Sequence, residues 1–411
     1  MKILHINTYQ WGGAAWCAIR ICRALSEIGI DSQMLFAEGS SMPEGIDGDI
    51  AKADRIIWNE NRVLNKVRNL AKRFGICFSH TEKLQNQIDK ANFQHLYLHS
   101  PLSNYKNIAN HPLIEWADII HLHWVTGFID YPSFFKNVKK PIVWTLHDKY
   151  PAVGLQHYAS ENFPVPVELQ AIDEYCRKIK CSSLKLCKNL NVVAISDETK
   201  RICRESEVLR DFPITLIHNG VDTSKYKRYD RNTSRKELGL LPEAKIFMFS
   251  SHGLADANKG LDRVIKALEK ANVPNKMLVC IGILSSNPLP DASFPIILTG
   301  LLKNHEKLAK YYSSSDYFIQ ASYEETFAQT PLEAMACGTP VISTPCSGAS
   351  DLIHPFNGVI CNGYDADAIV EGINDAIRHE YNADEIRQHI VDNYQYSKIA
   401  LHYKELYEKV L

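Results

Sequence analysis

The sequence predicts an α/β protein of two domains, each built on a parallel sheet wrapped by helices. Three observations carry that expectation. Short apolar runs alternate with helical stretches almost from end to end, the order of β-α-β units. The chain has 411 residues, more than one hydrophobic core normally supports. A polar, strand-poor stretch, "HNGVDTSKYKRYDRNTSRKELGLLPEAK", interrupts the alternation and reads as a linker, with the boundary near Val221.

In the first half the spacing predicts strands at 2–7, 32–37, 118–122, 141–146, 191–194 and 214–217. A helix over 13–29 begins at a Gly-Gly turn, with Ala18, Ile21, Cys22, Leu25 and Ile28 at helical spacing. The second half predicts strands at 245–250, 276–281, 296–299, 317–320, 340–343 and 358–360. Its helices are expected at 261–271, 305–314, 331–337 and 365–379, and 383–411 reads as two helices without a strand. The domains are therefore set at 1–220 and 221–389, with 390–411 returning to the first. Residues 39–115 show no clear strand and are long for a connection, so they carry helices of their own or a function.

Composition excludes several classes. Hydrophobic residues make up 45% and charged residues 23%, an ordinary globular mixture. The formal net charge of −1 gives no field to hold a polyanion, so nucleic acid is not an expected partner. The opening "MKILHINTYQWGG" turns polar at Asn7 and Thr8, the pattern of a buried first strand and not of an export signal. No window approaches the roughly 18 apolar residues of a membrane span. Eleven scattered cysteines fit reduced thiols in a cytoplasmic protein.

The segment richest in chemistry is "SYEETFAQTPLEAMACGTPVIS", from Ser322 to Ser343. A strand ends at Gln320, a polar turn follows, and a helix starts near Pro331, a residue suited to a first helical turn. Parallel α/β sheets bind ligands at such crossings, where helix amides face a phosphate. Glu325 in the turn and Glu333 in the helix could accept hydrogen bonds from paired ribose hydroxyls, or could simply complement the helix dipole.

This segment closely resembles the signature of glycosyltransferase family 4, retaining enzymes of the GT-B fold. The Glu-x7-Glu spacing runs from Glu325 to Glu333, followed by "AMACGTPVIS". The resemblance extends to "GGAA" at Gly12, "TLHD" at Thr145, "HNGVD" at His218 and "NKGLDRVIKAL" at Asn258. It implies two Rossmann-like domains facing across a cleft, with a C-terminal helix packing back on the N-terminal domain. It also implies that Glu333 holds the donor ribose and Glu325 contacts the donor sugar near the reacting carbon. Lys259 would neutralise the leaving diphosphate. Thr326, Phe327, Ala328 and Gln329 would touch the phosphates or sugar, Gly12 and Gly13 would approach the diphosphate, and His147 would face the sugar. The substrate would be a nucleotide sugar and the acceptor a carbohydrate or lipid-linked saccharide, with no cofactor and no metal. A non-hydrolysing nucleotide-sugar epimerase and a degenerate, non-catalytic binding subunit are the alternatives. Two departures stand out. The loop "SSHGLADANKG" has no arginine beside Lys259, and Ala328 stands where relatives often have glycine.

Other constellations have bland readings. His121 and His123 share one face of a strand end, as a metal pair would, but a cleft-lining or core role fits that place. His147 and Asp148 are neighbours on a strand and point to opposite faces, so Asp148 is not expected to orient His147. Cys176, Cys181 and Cys187, with His157 upstream, are spaced by five and six residues, unlike zinc knuckles, and read as buried thiols. Residues 55–74 carry six basic residues among apolar ones including Trp58. That pattern suits either peripheral contact with the inner face of a membrane or a helix packed on a domain.

Overall fold

Parallel strands cannot be joined by tight turns, so each pairing in this chain requires a crossover, and the crossovers are helices. The structure is a computed structural model that describes residues 1–37, 53–55, 80–90, 99–102, 108–158, 164–285 and 289–411. It divides into two units: Met1–Ile217 with Ala400–Leu411, and His218–Ile399.

The first unit holds strands β1 (Lys2–Asn7), β2 (Asp31–Phe36), β3 (Ala53–Arg55), β4 (Ile119–Leu122), β5 (Ile142–Leu146), β6 (Leu190–Ala194) and β7 (Ile214–Leu216). All pair in parallel, in the order β3-β2-β1-β4-β5-β6-β7. β4 and β5 are buried at every position, as strands covered on both faces must be. The first helix, α1 (Gly13–Glu27), follows β1 and buries Ala18, Ile21, Cys22 and Leu25 of the predicted stripe, while Ile28 stands just past its end, half-buried. The C-terminal helix returns to this sheet. Tyr403 OH lies 2.9 Å from Thr145 Oγ1, and Tyr407 OH lies 2.7 Å from His121 Nδ1.

The second unit holds β8 (Lys245–Gly253), β9 (Lys276–Ile283), β10 (Ile296–Leu298), β11 (Tyr317–Gln320), β12 (Val341–Ser343) and β13 (Gly358–Ile360). Their order is β10-β9-β8-β11-β12-β13, again all parallel. In each sheet the order reverses once, between β1 and β4 and between β8 and β11. Chains diverge to opposite sides at such a reversal and leave a crevice beyond the strand ends.

Two expectations change. The stretch read as linker contains a helix, Arg231–Leu238, capped by the Asp230 side chain and closed by left-handed Gly239 at φ 67°. It docks through charge, because buried Arg235 reaches Asp316 Oδ2 at 2.8 Å and Ser314 O at 3.0 Å. Within 39–115 the described residues include strand β3 and helices His80–Lys90 and Pro112–Trp116. Of the basic stretch 55–74, all but Arg55 lies outside the described residues. Among the described residues no helix is long and apolar enough to cross a membrane.

Candidate active site

At the reversal of the second sheet, two turns meet. One follows β8 and carries Lys259; the other follows β11 and carries Glu325. Lys259 Nζ lies 2.5 Å from Glu325 Oε1. The same oxygen accepts from Ser322 Oγ at 2.8 Å and from Gln320 Nε2 at 3.0 Å. Three donors on one carboxylate oxygen hold the Glu325 side chain in place. Lys259 keeps 26% of its side chain exposed and Glu325 15%, so both remain within reach of a ligand.

Asn258 clamps the two turns. Its Nδ2 donates to Glu324 O at 3.0 Å and its Oδ1 accepts from Glu324 N at 2.9 Å, while Tyr323 N donates to Asn258 O at 2.9 Å. Gly260 follows at φ +79°, and a Cβ there would sit 2.6 Å from Ala321 O, so the close approach requires glycine. Arg263 completes the turn, donating to Ala321 O at 2.5 Å with its guanidinium 3.6 Å from the Tyr323 ring centre. Sequence reasoning missed Asn258 and Arg263 as supports, although both stand inside the "NKGLDR" run.

The helix after the turn spans Gln329–Ala336, two residues earlier than predicted. Ala328 precedes it at φ −71°, so alanine sits there without strain, and it offers no side-chain cap. The positive end of this helix points back to the turn of Thr326 and Phe327. Gly348, at φ +76°, lets the backbone of Thr326 approach; a Cβ there would lie 2.9 Å from Thr326 O. Phe327 stacks on His218 with ring centres 5.2 Å apart, and His218 Nε2 is 3.1 Å from Asp351 Oδ2. Glu333 is buried and accepts from Tyr312 OH at 3.1 Å. Burial, with Glu333 adding to it, raises the Tyr312 phenol well above its ordinary value.

Gly12, Gly13 and His147 belong to the first unit. Gly12 opens α1 at φ 93°, and a Cβ added at Gly12 or Gly13 would meet open space. His147 follows β5, and its Nε2 lies 2.9 Å from His123 Nδ1. Asp148 turns away from His147. It accepts from Trp124 Nε1 at 2.6 Å and from Tyr150 N at 3.0 Å, and its Oδ2 lies 2.5 Å from His157 Nδ1. Burial works to raise the Asp148 carboxyl, but His157 and these hydrogen bonds outweigh it and hold it below its ordinary value. Burial draws His147 down to about 4 despite Asp148. His121 and His123 are buried core groups, and with His5 they bring ring nitrogens within 4.8 Å of one another. Cys176, Cys181 and Cys187 form no such group with His157 among the described residues. Cys181 also departs from the buried-thiol expectation, being only half-buried, with Sγ 3.5 Å from Glu207 O.

Comparison with known proteins bears on the family and the fold. The family profile described as "Glycosyl transferases group 1" matches residues 230–395, and that of "Glycosyltransferase Family 4" matches residues 105–225. A D-inositol 3-phosphate glycosyltransferase of Mycobacterium marinum is 27% identical over 286 residues, covering 65% of this chain and 57% of that protein. The match thus spans little more than half the length of that relative. Among solved structures, the sucrose-phosphate synthase of Thermosynechococcus elongatus aligns with a TM-score of 0.68 at 18% identity, covering 100% of this chain and 98% of that one. The Anabaena protein HepE, in complex with UDP and glucose, aligns at 0.66 and 16% identity, covering 100% of both chains. These likenesses show the fold.

Proposed function

We propose a specific reaction for this chain, which belongs to glycosyltransferase family 4: transfer of a hexose or related sugar from a nucleotide diphosphate to an acceptor hydroxyl, with retention at the anomeric carbon. The observation that carries it is the meeting of Lys259 and Glu325 at 2.5 Å where the second sheet reverses, ahead of an uncapped helix start. A cation and helix amides at that place suit a diphosphate. Glu333 is assigned to the ribose, Lys259 to the diphosphate, and Glu325 to the donor sugar near the reacting carbon. Thr326, Phe327, Ala328 and Gln329 line the donor, and Gly12, Gly13 and His147 are assigned to donor phosphate and sugar.

As the bond to the leaving diphosphate breaks, negative charge grows on its outer oxygens, and Lys259 stabilises that charge more than the ground state. The acceptor oxygen attacks the same face of the sugar while its proton passes to a departing phosphate oxygen, which preserves the anomeric configuration. With the charge met by protein groups, the reaction needs no divalent cation. The acceptor is a carbohydrate or lipid-linked saccharide, as in the building of surface polysaccharides or glycolipids.

Because HepE is described with UDP and with UDP-glucose, uridine donors are the first to try. The test is a thermal-shift panel of nucleoside diphosphates followed by incubation with the matching nucleotide sugars. A ligand at 100 times its dissociation constant should stabilise the protein by about 2.7 kcal/mol. Release of the diphosphate with glycosylated product supports the reading. A new nucleotide sugar formed from donor alone would identify an epimerase, and binding without turnover of any donor would identify a non-catalytic subunit.

A further inference from the structure

A buried imidazole ordinarily has both ring nitrogens satisfied. The first unit contains a run of histidines in which one does not. His5 comes from the middle of β1 and pairs in register with His121 of β4; His123 lies just beyond β4 and His147 just beyond β5. His5 Nδ1 lies 2.9 Å from His123 Nε2, and His123 Nδ1 lies 2.9 Å from His147 Nε2. His5 is fully buried, and its Nε2 has no hydrogen-bond partner. His121 packs beside the run, 4.8 Å from His5 and 4.1 Å from His123 between ring centres. Its own nitrogens are taken, Nδ1 by Tyr407 OH at 2.7 Å and Nε2 by Thr145 Oγ1 at 2.8 Å.

A neutral imidazole carries one N–H, so three in a row can be ordered in two senses. In one, His147 donates to His123 and His123 donates to His5, which leaves the last proton on His5 Nε2 as a buried N–H with no acceptor. In the other, His5 donates from Nδ1, His123 donates from Nδ1, and His5 Nε2 is a bare lone pair. Orphaned buried N–H groups are the rarer defect in folded proteins. Burial keeps the rings neutral, pulling His5 to about 3 and His121 and His123 well below their ordinary value. A zinc site would need converging lone pairs at about 2.0–2.1 Å from the ion. Here both nitrogens of His121 and of His123 are already hydrogen-bonded.

We infer that His5 and His123 act as positioning residues that hold His147 in the Nδ1–H tautomer, so that His147 offers a hydrogen-bond donor to an oxygen of the sugar substrate. The substrate half of this inference rests on the function proposed above; the tautomer half does not. His147 then serves as a neutral donor and not as a proton-accepting base. No other hydrogen bond to His147 exists among the described residues, which leaves Nδ1 for that oxygen.

The test is a long-range proton–nitrogen spectrum of the full chain labelled with nitrogen-15 in histidine, recorded near neutral pH. The expected result is Nδ1–H at His5, His123 and His147. His123→Leu removes the donor, so His147 shifts toward Nε2–H and turnover of nucleotide sugar falls about tenfold or more, the factor one lost hydrogen bond carries. The KM for the donor stays nearly constant. His123→Asn places an amide nitrogen close to the former Nδ1 and restores both the tautomer and most of the turnover. A wild-type spectrum with His147 protonated at Nε2 overturns the inference, and so does added zinc that shifts His5, His121 and His123 together. The wild-type spectrum decides this even if a variant fails to fold. If the tautomer is found and turnover ignores both variants, the sugar role of His147 falls while the donor site of the second unit stands.

Discussion

Each sheet places polar side chains where its strand order reverses, and the two do so in opposite ways. Beside β8 and β11 the groups are ionic and partly open, with Lys259 against Glu325. Beside β1 and β4 they are buried imidazoles, bonded to one another and to Thr145 and Tyr407. The cost of burying charge explains the difference. An ion pair is tolerated where a ligand or water can share it, whereas groups inside a sheet covered on both faces are kept neutral and, His5 Nε2 apart, are paired. One crevice is therefore suited to a charged ligand, and the other to holding a single side chain in one orientation.

Acidification should separate the two most sharply. Burial depresses His5 to about 3 and His147 to about 4, while an unfolded chain takes up these protons near 6.5. The unfolded state therefore binds more protons as pH falls through 6.5. The stability these neutral rings contribute is complete above that pH and is lost on the way down to their folded values. His5 alone should remove about 2 kcal/mol between pH 7 and pH 5. All six tryptophans belong to the first unit, so urea unfolding followed by tryptophan fluorescence reports on it directly. Equal midpoints at the two pH values would contradict the neutral-histidine core.

The ionic crevice should answer to single charges. In the proposed reaction Glu325 faces the carbon where the transition state develops charge, so Glu325→Gln should cut kcat by about 10²-fold or more. Steady-state kinetics with the full donor measures it, and unaltered turnover would take Glu325 out of the reaction. Lys259→Ala should weaken nucleoside diphosphate binding by roughly 1.5–3 kcal/mol, the scale of a charged hydrogen bond, and monophosphate binding by less. Calorimetry with both ligands checks this, and equal losses would place the lysine elsewhere. The smallest expected effect is that of EDTA, which should leave activity unchanged; a loss restored by manganese or magnesium would contradict the assignment of the diphosphate to protein groups.

How much of this was legible in the sequence depends on what fixes each element. Strands such as Lys2–Asn7 and Tyr317–Gln320 are apolar runs bounded by polar turns, and the structure reproduces their bounds. The helix Arg231–Leu238 escaped because Arg235, the residue that anchors it, reads as solvent-facing until Asp316 is seen beside it. Asp230 and Gly239 were the available signals. Strand β3 is three residues long, too short for alternation to register. In the candidate site, Glu325 and Lys259 are 66 positions apart, and only the turns after β8 and β11 bring them together. The run from His5 to His147 could not be read at all, because His5 looks like one polar residue in an apolar strand until the register sets it against β4.

In the proposed reaction the turn after β11 and its helix hold a nucleotide diphosphate by distinct parts. The direct measurement is calorimetric titration of the wild type, Glu333→Gln and Glu325→Gln with UDP, GDP and ADP. At least one diphosphate should bind the wild type, lose affinity in Glu333→Gln, where the proposed ribose partner is altered, and bind Glu325→Gln almost as before. Failure of every diphosphate to bind, or a loss confined to Glu325→Gln, would contradict it.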